Sequence, residues 1–151
     1  MRKTVRLAAL VMVGAIALSM AACKKKKTYM KITPDEFERK LKAEGYTVKE
    51  NDEQIEHVIR SLAAVSCDGV IVVYEMFETV DIANAYWDDF EQESLNQKNA
   101  GTLTECKFSE HEAYIEDPSM CSYVVIVDEM LIIVMAVDKG AAEDCLDILG
   151  Y

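Results

Sequence analysis

The chain has 151 residues, with 27 acidic and 16 basic side chains, a formal charge of −11 and a hydrophobic fraction of 51%. That is the length of one domain and the apolar content of a globular chain, which argues against a disordered or multidomain protein. From residue 32 onward 8 basic side chains face 27 acidic ones, a formal charge of −19, and no nucleic acid partner is expected, because phosphate binding needs a basic patch.

Residues 1–22 read as a signal peptide. Arg2, Lys3 and Arg6 precede an apolar run over residues 7–22, interrupted only by Gly14 and Ser19. At 16 residues the run falls short of the roughly 20 that cross a bilayer and lies near the roughly 7–15 of a signal's apolar region. The four lysines at 24–27 also put more positive charge after the run than before it, which conflicts with export of that side if the run stays as a span. Met20-Ala21-Ala22-Cys23 resembles the lipobox of bacterial lipoprotein signal peptides, with Met20 where leucine is usual. The resemblance implies a diacylglyceryl group on the Cys23 thiol and cleavage before it, so that Cys23 becomes the first mature residue at the extracytoplasmic face of the cell membrane. An ordinary cleaved signal and an uncleaved short anchor are the alternatives.

Two acyl chains hold a stable anchor where one is marginal. Residues 23–31 then form a basic tether with Lys24, Lys25, Lys26, Lys27 and Lys31, each lysine attracted to anionic lipid by about 1 kcal/mol. Residues 32–151 form a single domain.

The domain opens on "ITPDEFERKLKAEGY". Thr33 and Glu36 fit a capping box, Pro34 suits the first turn and Gly45 the C′ position, which predicts a helix over about 34–44 with Phe37 and Leu41 inward. An extended "YTVKE" follows. Residues 55–65 are ambiguous: Ile55, Val58, Ile59 and Leu62 fit a helix, whereas His57, Ile59, Ala63 and Val65 can share one face of a strand. Asp68-Gly69, favoured for a tight hairpin, tips the choice to a strand paired with "VIVVYEMFE".

A second helix is expected from Thr79 or Asp81 to the Asn99–Gly101 region, with Ile82, Tyr86 and Phe90 as its inward row and Ala83 and Trp87 beside it. Extended pieces follow near 103–108 and 112–116. The apolar arms around Asp128-Glu129 read as a buried hairpin, and two acids at the midpoint argue against a membrane span. A short final helix turns Ala142, Cys145, Leu146 and Leu149 inward. The expected fold is therefore α+β: a mainly antiparallel sheet with helices on one face, in the order helix-strands-helix-strands-helix, with two similar halves suggested by the repetition.

Beyond the lipobox, the "TPDEF" helix start, the "IANAYWDDF" pattern, the "VDE" turn and the closing "ILGY" together resemble small lipoproteins of unknown function from Gram-positive, clostridia-like bacteria. The resemblance implies no activity.

No constellation commits the domain to a reaction. Cys67, Cys106, Cys121 and Cys145 could form two disulfides in an exported domain or stay as buried thiols, and they lack the C-x-x-C spacing of redox pairs and zinc ribbons. His57 and His111 have no partner at recognised spacing and read as surface residues. A nucleophilic pairing of Cys67 or Cys106 with His111 has no local support, since the chain lacks a G-x-S-x-G elbow. The acids of "WDDFEQE", and Asp138, Asp144 and Asp147, read as solvated helix faces rather than a calcium loop. Trp87 reads as packing at the core's edge more than as an interface anchor. Cys23 is thus the one assigned site, with no catalytic, cofactor or metal site expected. The sequence points to a non-enzymatic binding or scaffolding module of the cell envelope, held to the membrane by the lipid on Cys23. The rivals are a thiol- or carboxylate-dependent enzyme and a small-ligand-binding accessory of a transporter complex.

Overall fold

The computed structural model describes residues 27–52 and 55–151. Helix α1 (Pro34–Ala43) starts at Thr33, whose Oγ1 accepts from the Glu36 amide at 3.2 Å while the Glu36 carboxylate accepts from the Thr33 amide at 2.9 Å. This is the capping box read from the sequence, and Gly45 beyond the end takes the left-handed φ of 83° that glycine tolerates.

Strands β1 (Thr47–Glu50), β2 (Val58–Val65) and β3 (Ile71–Phe77) form an antiparallel meander. Helix α2 (Val80–Asn99) crosses to a second meander of β4 (Glu105–Phe108), β5 (Glu112–Glu116), β6 (Cys121–Val127) and β7 (Met130–Ala136), and α3 (Lys139–Leu149) closes the chain. The two meanders join through β3 and β7 into one antiparallel sheet of order β1-β2-β3-β7-β6-β5-β4. The α+β class and the order of elements are those expected. Residues 58–65 form a strand rather than a helix, and Asp128 takes the φ of 53° at the head of the β6–β7 hairpin, a conformation aspartate tolerates better than most side chains.

The expectation that the helices share one face does not hold. On face A, Leu62, Val72, Tyr74, Val125, Met130, Ile132 and Val134 pack under Phe37 and Leu41 of α1 and Cys145, Leu146 and Leu149 of α3. On face B, the alternate residues Phe77, Ala113, Val124, Ile126 and Leu131 pack under Ala83 and Trp87 of α2. The physical reason lies in β6 and β7, whose runs are apolar at odd and even positions alike; both of their faces must be covered. Nor are the two halves equivalent, because the helices that precede the two meanders, α1 and α2, lie on opposite faces.

Two finer expectations also change. A bulge between Val58 and Arg60 shifts the register at Ile59, which is left without a cross-strand partner and 62% exposed. In α2 the buried stripe is Ala83, Trp87 and Ser94, while Tyr86 is 40% exposed on the flank. Trp87 is core, with its ring centroid 5.5 Å from Phe108 and 6.0 Å from Phe90.

Candidate functional site

Cys23, the signal segment and the tether up to residue 26 lie outside the described residues. The rest of the tether is tied to the domain. Lys27 and Tyr29 both donate to the Glu112 carboxylate, at 2.8 and 2.7 Å, and Lys31 pairs with Glu129. The Tyr151 hydroxyl donates to the Met30 carbonyl at 2.7 Å, and the buried Tyr74 hydroxyl donates to the Ile32 carbonyl at 3.1 Å. Lys27, where the described residues begin, therefore sits beside Glu112, at the end of the sheet where β5 begins.

The four thiols are free and dispersed: Cys67 is exposed, Cys106 half-buried, and Cys121 and Cys145 buried. Burial pushes the Cys106, Cys121 and Cys145 thiols up, away from the thiolate, the reverse of what a nucleophilic cysteine needs. The His57 ring lies 3.2 Å from Glu78 and 3.5 Å from Glu56 through its two nitrogens. His111 packs against the Tyr29 ring at 5.4 Å. Neither histidine contacts a cysteine among the described residues. Among those residues, too, no group of three or more His, Cys, Asp or Glu converges as metal ligands would.

The feature that sequence reading missed is on face B. The register sets its side chains in three rows that run across the sheet from β2 through β3 and β7 to β6: Val65, Ile71, Met135 and Ser122; Ala63, Val73, Ile133 and Val124; Ser61, Glu75, Leu131 and Ile126. Helix α2 runs from Phe77 of β3 over Leu131, Ile126 and Val124 towards β4. At the β2–β3 end, Val65 and Ile71 are 45% and 37% exposed, and Ala63 and Val73 are half-buried. Ala63, Val65, Ile71 and Val73 thus form an apolar floor without a helix over it, while Ser61, Glu75 and Phe77 of the same two strands are buried.

Where the floor runs beneath the C-terminal half of α2, a crevice of about 280 Å³ opens between Ile115, Val124, Ile133 and Met135 below and Phe90, Glu93, Ser94 and Gln97 above. The helix stands off here because its inward position is a serine, too small to fill the gap a leucine would close. Ser94 is only 4% exposed, and its hydroxyl has no hydrogen-bond partner among the described residues.

Glu75, in the third row, is 7% exposed and likewise has no hydrogen bond or ion pair among the described residues. Burial raises its carboxyl pKa. The Tyr86 hydroxyl is raised by burial and then by the Glu75 charge, and the Tyr86 ring sits 5.2 Å from Phe77. Tyr86, Glu93 and Gln97 therefore mark the flank of α2 that overlooks the open floor. An uncovered apolar surface rimmed by polar and charged side chains is the pattern of a surface that meets something else. The sequence signal was there in outline: Glu75 interrupts an otherwise apolar strand, and Ser94 falls on the helical spacing of Ala83 and Trp87.

Comparison with protein-family models, with curated proteins and with solved structures found no match.

Proposed function

We infer that this chain is a membrane-anchored extracytoplasmic lipoprotein whose acidic domain binds or scaffolds another component of the cell envelope, without catalysis. The observation that carries the binding reading is the uncovered half of face B, where Val65, Ile71, Val73 and Ala63 meet solvent beside the unpartnered Glu75. A monomer gains nothing from that exposure, since each apolar side chain left uncovered forgoes about 25 cal/mol per Å².

The anchored reading rests on the lipobox-like residues before Cys23. The tether contacts support it, because Lys27 is held at Glu112 and the four residues from there to Cys23 span at most about 14 Å. A lipid on Cys23 would keep the domain close to the bilayer with the Glu112 and Glu129 end toward it, and the two faces of the sheet open to the sides. This domain end is acidic, so the tether lysines, not the domain, would make the lipid contact.

The test has two parts. Intact mass of protein taken from membranes is expected to show acyl mass on the wild type and none on Cys23→Ala; an unmodified Cys23 in the wild type refutes the anchor. Crosslinking and pull-down from the native envelope is expected to capture a partner; a wild-type chain that captures none refutes the binding module.

The crevice under α2 favours one second reading, a small-ligand accessory to a transporter complex. At about 280 Å³ it falls just below the roughly 300–1,000 Å³ of drug-sized pockets, and its unpartnered Ser94 offers one orienting contact. A solute fraction that raises the Tm of the wild type but not of Ser94→Leu, which fills the crevice, would mark this reading as the correct one.

A further inference from the structure

The open part of face B has the width of a missing helix. Face A carries two helices side by side, α1 over β1–β3 and α3 over β6–β7, whereas face B carries α2 alone. From β1 to β3 the floor spans about 10 Å at the usual strand spacing, the width of one helix. Along β3 only Ile71 and Val73 are bare, since Phe77 packs under α2 and Glu75 is buried, so the floor runs about 10 Å, the length of two helical turns.

The chemistry around this floor is one-sided. Its α2 wall presents Glu93, with Asp89 above it, and Asp81, Asp88 and Glu91 elsewhere on the helix, against Lys98 alone. Glu75 stands unpartnered in the floor itself, at the foot of that wall. The far rim carries the opposite charge, since Lys49 of β1 lies in register with Ala63 and points to the same face. At the lower end, the crevice beside Ser94 has the volume for one large aromatic or aliphatic side chain, the kind of pocket an interface anchor fills.

We propose that the open half of face B docks a basic amphipathic helix of a partner protein, laid alongside α2 as the fourth helix of the fold. Its apolar stripe covers Ala63, Val65, Ile71 and Val73. Its Lys or Arg residues face the α2 wall and reach Glu75, and one bulky side chain enters the crevice under Ser94. Docking gives Glu75 the cation it lacks and buries both partners of the pair together. A second copy of this chain does not fit, because it would bring another −19 domain against the same acidic wall. An anionic lipid surface is repelled for the same reason.

This proposal rests on the binding-module reading, and the experiment separates the two. The probe is a fifteen-residue helical peptide of Leu, Ala and Lys with one Trp in its apolar stripe, carrying a photo-crosslinker. Its twin has Glu at every Lys. Both are titrated onto the full chain in zwitterionic nanodiscs, with empty discs subtracted. The basic peptide is expected to bind at least tenfold tighter than the acidic twin and to crosslink to β2, β3 or the flank of α2. Ile71→Asp is expected to weaken it at least tenfold and Glu75→Gln about threefold. Val137→Asp, an exposed apolar site elsewhere, should leave it unchanged.

Equal binding of the two peptides, crosslinks outside face B, or indifference to Ile71→Asp overturns the proposal. Native-envelope crosslinking with the Ile71→Asp chain completes the separation. A partner captured by the wild type and equally by Ile71→Asp overturns this docking face while the binding-module reading stands. No partner captured by the wild type refutes that reading itself.

Discussion

The two faces of the sheet are made from alternate residues of the same seven strands, yet they differ in what finishes them. Face A is closed by α1 and α3, and most of its polar groups are paired: Tyr74 donates to Ile32, Tyr123 donates to Glu143 at 2.7 Å, and Lys40 reaches the Leu149 carbonyl at 2.6 Å, while the buried Arg60 Nε makes no hydrogen bond among the described residues and lies 3.4 Å from Glu50. Face B is closed by α2 alone, which leaves Ala63, Val65, Ile71 and Val73 bare, and Glu75 and Ser94 form no hydrogen bond with the described residues. The difference teaches that folding has covered one face with helices, while the other keeps bare apolar surface beside a largely buried carboxyl that forms no hydrogen bond with the described residues.

The contrast breaks first under substitutions in the closed regions. Phe37→Ala removes a fully buried ring from face A and is expected to cost about 3–5 kcal/mol in urea unfolding. Leu131→Ala, under α2 on face B, is expected to cost about 2–5 kcal/mol. If either proves as mild as an exposed site, the corresponding helix does not seal its face.

Glu75 gives the next effect, and it has the opposite sign. Its native carboxyl pKa is raised by burial, so the folded chain holds that proton more tightly than the unfolded one. Stability is therefore lost as pH rises from the ordinary carboxyl value, about 4.3, through the raised native value. Glu75→Leu is expected to stabilise the chain at pH 7 by about 1–3 kcal/mol, with the gain shrinking below pH ~4. A destabilised Glu75→Leu protein would mean that the carboxylate already has a partner in the free chain.

Smaller effects sharpen the comparison. Ile71→Ala, on the open floor, is expected to change stability by no more than about 0.5 kcal/mol, far less than Leu131→Ala on the neighbouring strand. Glu129→Gln removes the pairing with Lys31 that holds the Glu129 carboxyl below its usual range. Because the pair is partly exposed, the expected loss at pH 7 is under about 1 kcal/mol. That contribution is present above the ordinary carboxyl pKa and disappears as pH falls through the lowered native value, the reverse of Glu75. Thermal melts of both variants across pH 3–8 would display the two slopes side by side.

Much of the architecture was legible in the sequence because its determinants are local. Thr33 and Glu36 lie three residues apart and cap their own helix. Asp68-Gly69 and Asp128-Glu129 turn their own hairpins. The run "VIVVYEMFE" marked its own strand, and the inward set of α3 followed its spacing.

The placement of α2 was not legible, since a helix that leaves β3 and returns at β4 has the same periodicity on either side of the sheet. Only the doubly apolar β6 and β7 demanded a cover on both faces, and that demand is met in three dimensions. The choice of Ala83, Trp87 and Ser94 over the more apolar Ile82–Tyr86–Phe90 row was likewise decided by what lay beneath the helix, because packing selects by fit and not by hydrophobicity alone. The sequence by itself determined the elements, their order and their ends through interactions between near neighbours. Tertiary structure alone decided which half of a face stays bare and which carboxyl is stranded beside it, because burial is a property of the assembled layers and no residue carries it in isolation.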